Sequence, residues 1–202
     1  MTLIKICGIT DPETALRAAR SGADFIGIVF AGSSKRFVNA ALAKEISLAA
    51  KKEGAKSVGV FTNHTARQIK AMAQECYLDF VQLHGKAAKQ AASALYQALP
   101  IIYACQVEEA LPEIPIEFFL YDGKIPGSGK TCDWKKISKS KSPKYFLAGG
   151  LDAGNVEDAI RLLRPAGVDV STGVEDPVSG KKDLDKIQKF IEVVKSLQAV
   201  HI

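Results

Sequence analysis

Polar residues close several short apolar runs of this chain, where they could work together. Cys7 ends Leu3-Ile4-Lys5-Ile6-Cys7, Gln82 and His84 end the fourth run, Asp122 ends the sixth, and Asp169 and Ser171 share a face of the eighth. In a strand, alternate residues point the same way. Ile4 and Ile6 therefore share one face of the first run, suited to packing against helices, and Lys5 and Cys7 share the inner one. Taken singly, each residue has an ordinary explanation: a small buried thiol, a strand-end carboxylate capping a turn, a satisfied core imidazole. Gathered at one end of a sheet they do not, because burying so many polar groups is costly unless they serve one another or a ligand.

A second signal concerns the ligand. Ala148-Gly149-Gly150-Leu151 and Ser171-Thr172-Gly173-Val174 are glycine-containing turns after the seventh and eighth runs. In a (β/α)8 barrel, turns at those two places commonly hold phosphate, since glycine permits close approach and backbone N–H groups suit an anion. A phosphorylated small molecule is the expected ligand. Gly127-Ser128-Gly129-Lys130-Thr131 suggests a nucleotide P-loop but fails on spacing: the required earlier glycine falls on Lys124, with Gly123 one residue too early. It reads instead as a flexible loop over the barrel mouth.

Eight apolar runs must position these residues: 3–7, 24–30, 57–61, 79–84, 101–105, 117–122, 145–148 and 168–171. Helix-like segments separate most of them, with stripes such as Leu42, Ile46 and Ala49, or Leu184, Ile187, Ile191 and Val194. Thr10-Asp11-Pro12-Glu13 offers a capping box and a first-turn proline, and Asp183 can cap the last helix. Pro112 and Pro115 argue against a full helix after the fifth run, and the sixth helix, around Trp134 to Ile137, is abbreviated. The pattern predicts one trimmed (β/α)8 TIM barrel over residues 1–202, with its fifth and sixth helices short or missing. An open doubly wound sheet is the runner-up; its dinucleotide-binding form would need a G-x-G-x-x-G after the first strand, where Cys7-Gly8-Ile9-Thr10 stands.

Composition narrows the class. With 202 residues, 47% hydrophobic and 24% charged, the chain fits an ordinary globular protein. A net charge of +5 suits an anionic small substrate. The basic cluster between Lys135 and Lys144 lacks interleaved aromatic residues and reads as a solvated loop, not a nucleic-acid groove. Cys7, Cys76, Cys105 and Cys132 form no Cys-x-x-Cys pair and have no metal-ligand spacing with the histidines, so reduced thiols, no metal and a cytoplasmic location are expected. No apolar stretch reaches the roughly 20 residues of a membrane span.

In order along the chain, Lys5-Ile6-Cys7-Gly8-Ile9-Thr10, Ser34-Lys35-Arg36, Val58-Gly59-Val60-Phe61, Gln82-Leu83-His84-Gly85, Gly127-Ser128-Gly129-Lys130-Thr131 with Asp133-Trp134, Ala148-Gly149-Gly150-Leu151 and Val168-Asp169-Val170-Ser171-Thr172-Gly173-Val174-Glu175 resemble the phosphoribosylanthranilate isomerase family of tryptophan biosynthesis. The resemblance implies an Amadori rearrangement, with Cys7 as general base and Asp122 as general acid. It also implies Arg36 on the anthranilate carboxylate, Asp169 on the ribose hydroxyls, and phosphate on Gly149, Gly150, Ser171, Thr172 and Gly173. Lys5, Gln82 and His84 would support the site. No metal or coenzyme is implied, because the substrate's own nitrogen is the electron sink. A thiol acts as base only as thiolate, so its pKa must fall or be matched by a cation, and inward-facing Lys5 is the candidate. The loop after Asp122 is shorter than the family's, and Glu175-Asp176-Pro177-Val178-Ser179-Gly180 departs from its usual turn. Other readings are another sugar-phosphate isomerase or epimerase on the same barrel, or a non-catalytic phosphate-binding barrel. Either a monomer or a homodimer is compatible with the sequence.

Overall fold

A computed structural model describes residues 1–123, 134–137 and 144–199. The eight apolar runs become eight parallel strands: β1 Leu3–Cys7, β2 Phe25–Val29, β3 Lys56–Phe61, β4 Phe80–Leu83, β5 Ile101–Cys105, β6 Phe118–Tyr121, β7 Tyr145–Leu147 and β8 Gly167–Val170. Each pairs with the next, and β8 pairs with β1, so the sheet closes into a barrel. The open-sheet alternative is thereby set aside. The helices are α1 Pro12–Ser21, α2 Ala40–Lys52, α3 Ala66–Glu75, α4 Lys86–Gln90, α5 Ala92–Leu95, α6 Trp134–Ile137, α7 Val156–Leu163 and α8 Leu184–Ala199. Both α4 and α5 lie between β4 and β5. No helix joins β5 to β6, where Pro112 and Pro115 fall, as the sequence predicts, and α6 spans four of the described residues.

Helix ends are set locally. Asp183 caps α8 through the backbone N–H groups of Asp185 and Lys186. At α1 the expected Thr10–Glu13 capping box does not form. Asp11 is the cap, accepting from the backbone N–H of Thr14 at 2.8 Å, with Pro12 in the first turn. Asp11 sits one residue nearer the helix than Thr10, and its carboxylate reaches the free N–H directly.

Strand parity divides the core in two. Ile4, Ile6, Ile26 and Ile28 point outward and pack with Ala15, Ala18, Ile46 and Phe190 of the surrounding helices. Inside, Phe25, Phe118 and Phe146 meet edge to face at the N-terminal end, with Phe80 5.3 Å from Phe25 between ring centres. Val58, Ile102 and Leu120 complete this plug. Above it the inward positions turn polar: Lys5, Gln82 and Asp169 are all buried. An apolar floor thus supports a polar mouth at the strand C-termini, the end where barrels of this kind place their chemistry. Among the described residues no helix is long and apolar enough to cross a membrane. The expected mouth loop 127–131, with Cys132, lies outside the described residues, as do residues 138–143 of the Lys135–Lys144 cluster.

Candidate active site

Register brings the first pair together. Lys5 of β1 stands opposite Asp169 of β8 with both side chains facing inward, and the ammonium donates to Asp169 Oδ1 at 2.9 Å. Lys5 is fully buried. Burial alone would lower its pKa, but the charge and hydrogen bond of Asp169 work against that and the pKa is raised, so the ammonium stays protonated. Two residues on, Cys7 lies beside Gly27 of β2. A Cβ at Gly27 would fall 2.7 Å from Cys7 Sγ and 3.1 Å from Lys5 Nζ, so a glycine there makes room for both. Burial pushes the Cys7 thiol up, and so does Asp169; Lys5 and Lys182 pull it down but do not prevail. The expected cationic neighbour is in place, yet in the free protein the thiol remains protonated.

Asp122 follows β6 in the same mouth. Its carboxylate accepts from the Gly123 backbone N–H at 2.7 Å. Burial, outweighing that hydrogen bond, pushes its pKa up to about 6; Asp169 adds to the rise and Lys5 opposes it. Cys7 and Asp122 therefore both feel the same central ion pair. Gly149, in the left-handed region at φ 85°, turns its backbone against Asp122, and an added Cβ would lie 3.1 Å from the carboxylate. Gly173 packs so close to the Leu151 carbonyl that a Cβ would fall 2.0 Å from it, which locks the β7 and β8 turns together. Gly150, Ser171 and Thr172 complete these turns.

The β4 wall carries the remaining expected residues. Gln82 is buried, and its Oε1 has no hydrogen-bond partner among the described residues. Leaving such an acceptor unpaired costs about 1–3 kcal/mol, which a ligand donor would recover. Burial, aided by Lys89, lowers the pKa of His84, so its imidazole is neutral. His84 and Asp122 line a cavity of about 190 Å³ with Lys89, Cys105, Gln106 and Glu109. Among the described residues no three His, Cys, Asp or Glu side chains group to hold a metal ion.

Arg36 is placed where sequence alone does not put it. Its side chain crosses Gly8, and its guanidinium meets Glu175 through both Nε and Nη2 and donates to Thr172 Oγ1 at 3.1 Å. Lys182 also bonds Glu175, at 3.0 Å, and donates to the Ser171 carbonyl at 2.8 Å and to its hydroxyl. Neither Glu175 nor Lys182 stands out in the sequence. The readable signal was the Asp176–Gly180 turn, which folds the chain back and sets Glu175 across an antiparallel bridge from Lys182.

Fold and mouth together define a (β/α)8-barrel enzyme of the acid/base kind. Comparison with known proteins is more specific. The family model "N-(5'phosphoribosyl)anthranilate (PRA) isomerase" matches residues 4–193. The N-(5'-phosphoribosyl)anthranilate isomerase of Chlamydia felis is 42% identical, over 96% of this chain and 97% of its own. Monomers generated from the dimeric phosphoribosylanthranilate isomerase of Thermotoga maritima superpose with a TM-score of 0.83 at 36% identity, over 97% of this chain and all of that one. A phosphoribosylanthranilate isomerase in complex with reduced 1-(o-carboxyphenylamino)-1-deoxyribulose 5-phosphate gives 0.82 at 34%, with the same coverage. The chain belongs to the N-(5'-phosphoribosyl)anthranilate isomerase family.

Proposed function

We propose that this chain converts N-(5'-phosphoribosyl)anthranilate to 1-(2-carboxyphenylamino)-1-deoxyribulose 5-phosphate, the step its family performs in tryptophan biosynthesis. The observation that carries the assignment of roles is a carboxyl with a pKa of about 6 sharing one mouth with a thiol beside a buried lysine. Asp122 protonates the furanose ring oxygen as the anthranilate nitrogen pushes out the C1'–O bond, which leaves a Schiff base. Cys7 thiolate then takes the C2' proton, and the electron pair moves to nitrogen to give an enolamine that tautomerises to the ketone. The thiol ends protonated and Asp122 ionised, so the two exchange states within a turnover.

In the same reading the phosphate rests on Gly149, Gly150, Ser171, Thr172 and Gly173. Asp169 and Gln82 face the ribose, His84 supports the wall beside Asp122, and Arg36 meets the anthranilate carboxylate. The working form is a cytoplasmic single-domain barrel, a monomer or, as in the Thermotoga enzyme, a homodimer. Freshly made phosphoribosylanthranilate should lose its fluorescence when mixed with the purified protein. Cys7→Ser and Asp122→Asn should each lower turnover by about 10²–10⁴ while still binding the reduced product. A fully active variant at either position would remove that residue from the chemistry.

A further inference from the structure

If Arg36 receives the anthranilate carboxylate, as read above, its partners limit how. Nε and Nη2 form the edge of the guanidinium that meets carboxylates as a fork. Here that edge is filled by both oxygens of Glu175, and Nη2 is shared with Thr172. Among the described residues only Nη1 is left without a partner.

Two outcomes are conceivable: the substrate displaces Glu175, or Glu175 stays. The surroundings favour the second. The Glu175 side chain is 4% exposed and is bonded by Lys182 at 3.0 Å and by Lys35 at 3.2 Å. Its backbone carbonyl accepts from Lys186 at 2.8 Å. Arg36 is pinned too: a Cβ on Gly8 would lie 2.4 Å from its Cδ, so the stem lies flat on the backbone next to Cys7. Moving either group would strand a buried charge, which is expensive.

We propose that Glu175 is a positioning residue for Arg36. It holds the fork edge of the guanidinium through the reaction cycle and leaves the Nη1 end as the sole contact for the substrate carboxylate. Specificity for an ortho-carboxylated aniline then depends on a residue that never touches it.

The test is calorimetric binding of the reduced product and of its counterpart lacking the ring carboxylate. Glu175→Gln should weaken the reduced product by about tenfold, the loss of one charged hydrogen bond, and leave the counterpart's affinity unchanged. Glu175→Asp keeps the charge beside Lys35 and Lys182 but withdraws it from Arg36. It should give the same ordering with a smaller loss, in a chain whose folding is less disturbed. Tighter or unaltered binding of the reduced product to these variants, or equal weakening of both ligands, would overturn the proposal. Arg36→Met separates the underlying reading: if it leaves the preference for the carboxylated ligand intact, the assignment of Arg36 itself fails.

Discussion

Asp122 and Glu175 are both acidic side chains at the rim of one barrel, the first half-buried after β6 and the second buried after β8, two strands further round the circle. Burial pushes both pKa values upward. Asp122 has one backbone N–H to set against it and ends at about 6. Glu175 has Arg36 and Lys182 hydrogen-bonded to it and ends at about 2. Partners, not depth, thus decide which carboxyl can carry a proton near neutrality and which is a fixed anion. The first suits proton transfer and the second suits holding cations still.

The difference is most directly broken through pH. With a thiol above its ordinary value and a carboxyl at about 6, the reactive pairing of thiolate with carboxylic acid is a minor form whose share stays constant between the two pKa values. Below about pH 6 the acid is already protonated and further protons only remove thiolate, so kcat/KM should fall tenfold per pH unit. A profile flat down to pH 5 would show that Asp122 is not so raised. Lys5→Met should act next most strongly. It leaves Asp169 buried without its partner, at a cost of about 3–5 kcal/mol. It also removes a charge that pulls the Cys7 pKa down, so alkylation of Cys7 should shift to higher pH; an unchanged alkylation profile would dissociate Lys5 from the thiol.

The smallest effect belongs to Glu175 in acid. Its folded-state pKa lies below the ordinary 4.5, so its stabilising contribution is complete above that value and is lost as pH falls toward 2. Urea unfolding should therefore find Glu175→Gln less stable than the unmodified chain at pH 7, with the gap closing between pH 4.5 and 2. A gap constant across that range would mean the carboxylate is not held by its cations.

Much of this was readable from periodicity. Alternation in the first and eighth runs places Lys5, Cys7 and Asp169 inside, and two prolines mark the missing helix after β5. The Arg36–Glu175 contact was not readable, because the two are 139 residues apart and either charge could as well have faced water. The direction of the Cys7 shift was hidden for a related reason. A neighbouring lysine argues for a lower pKa, and only the three-dimensional arrangement shows that Asp169 claims that lysine and that burial exceeds its pull. The Thr10 box gives way to a cap by the adjacent Asp11, a competition between neighbouring capping residues that spacing rules do not resolve.

The seam between β1 and β8 joins the beginning of the chain to a strand completed more than 160 residues later. Lys5 and Asp169 meet only if those strands close in the right alignment. A slip of one residue would turn the lysine out among the helices and leave the aspartate alone in the interior. The ion pair therefore acts as a lock on ring closure: a misaligned barrel is penalised at once, and the charges later used around the ligand also proofread the assembly of the ring.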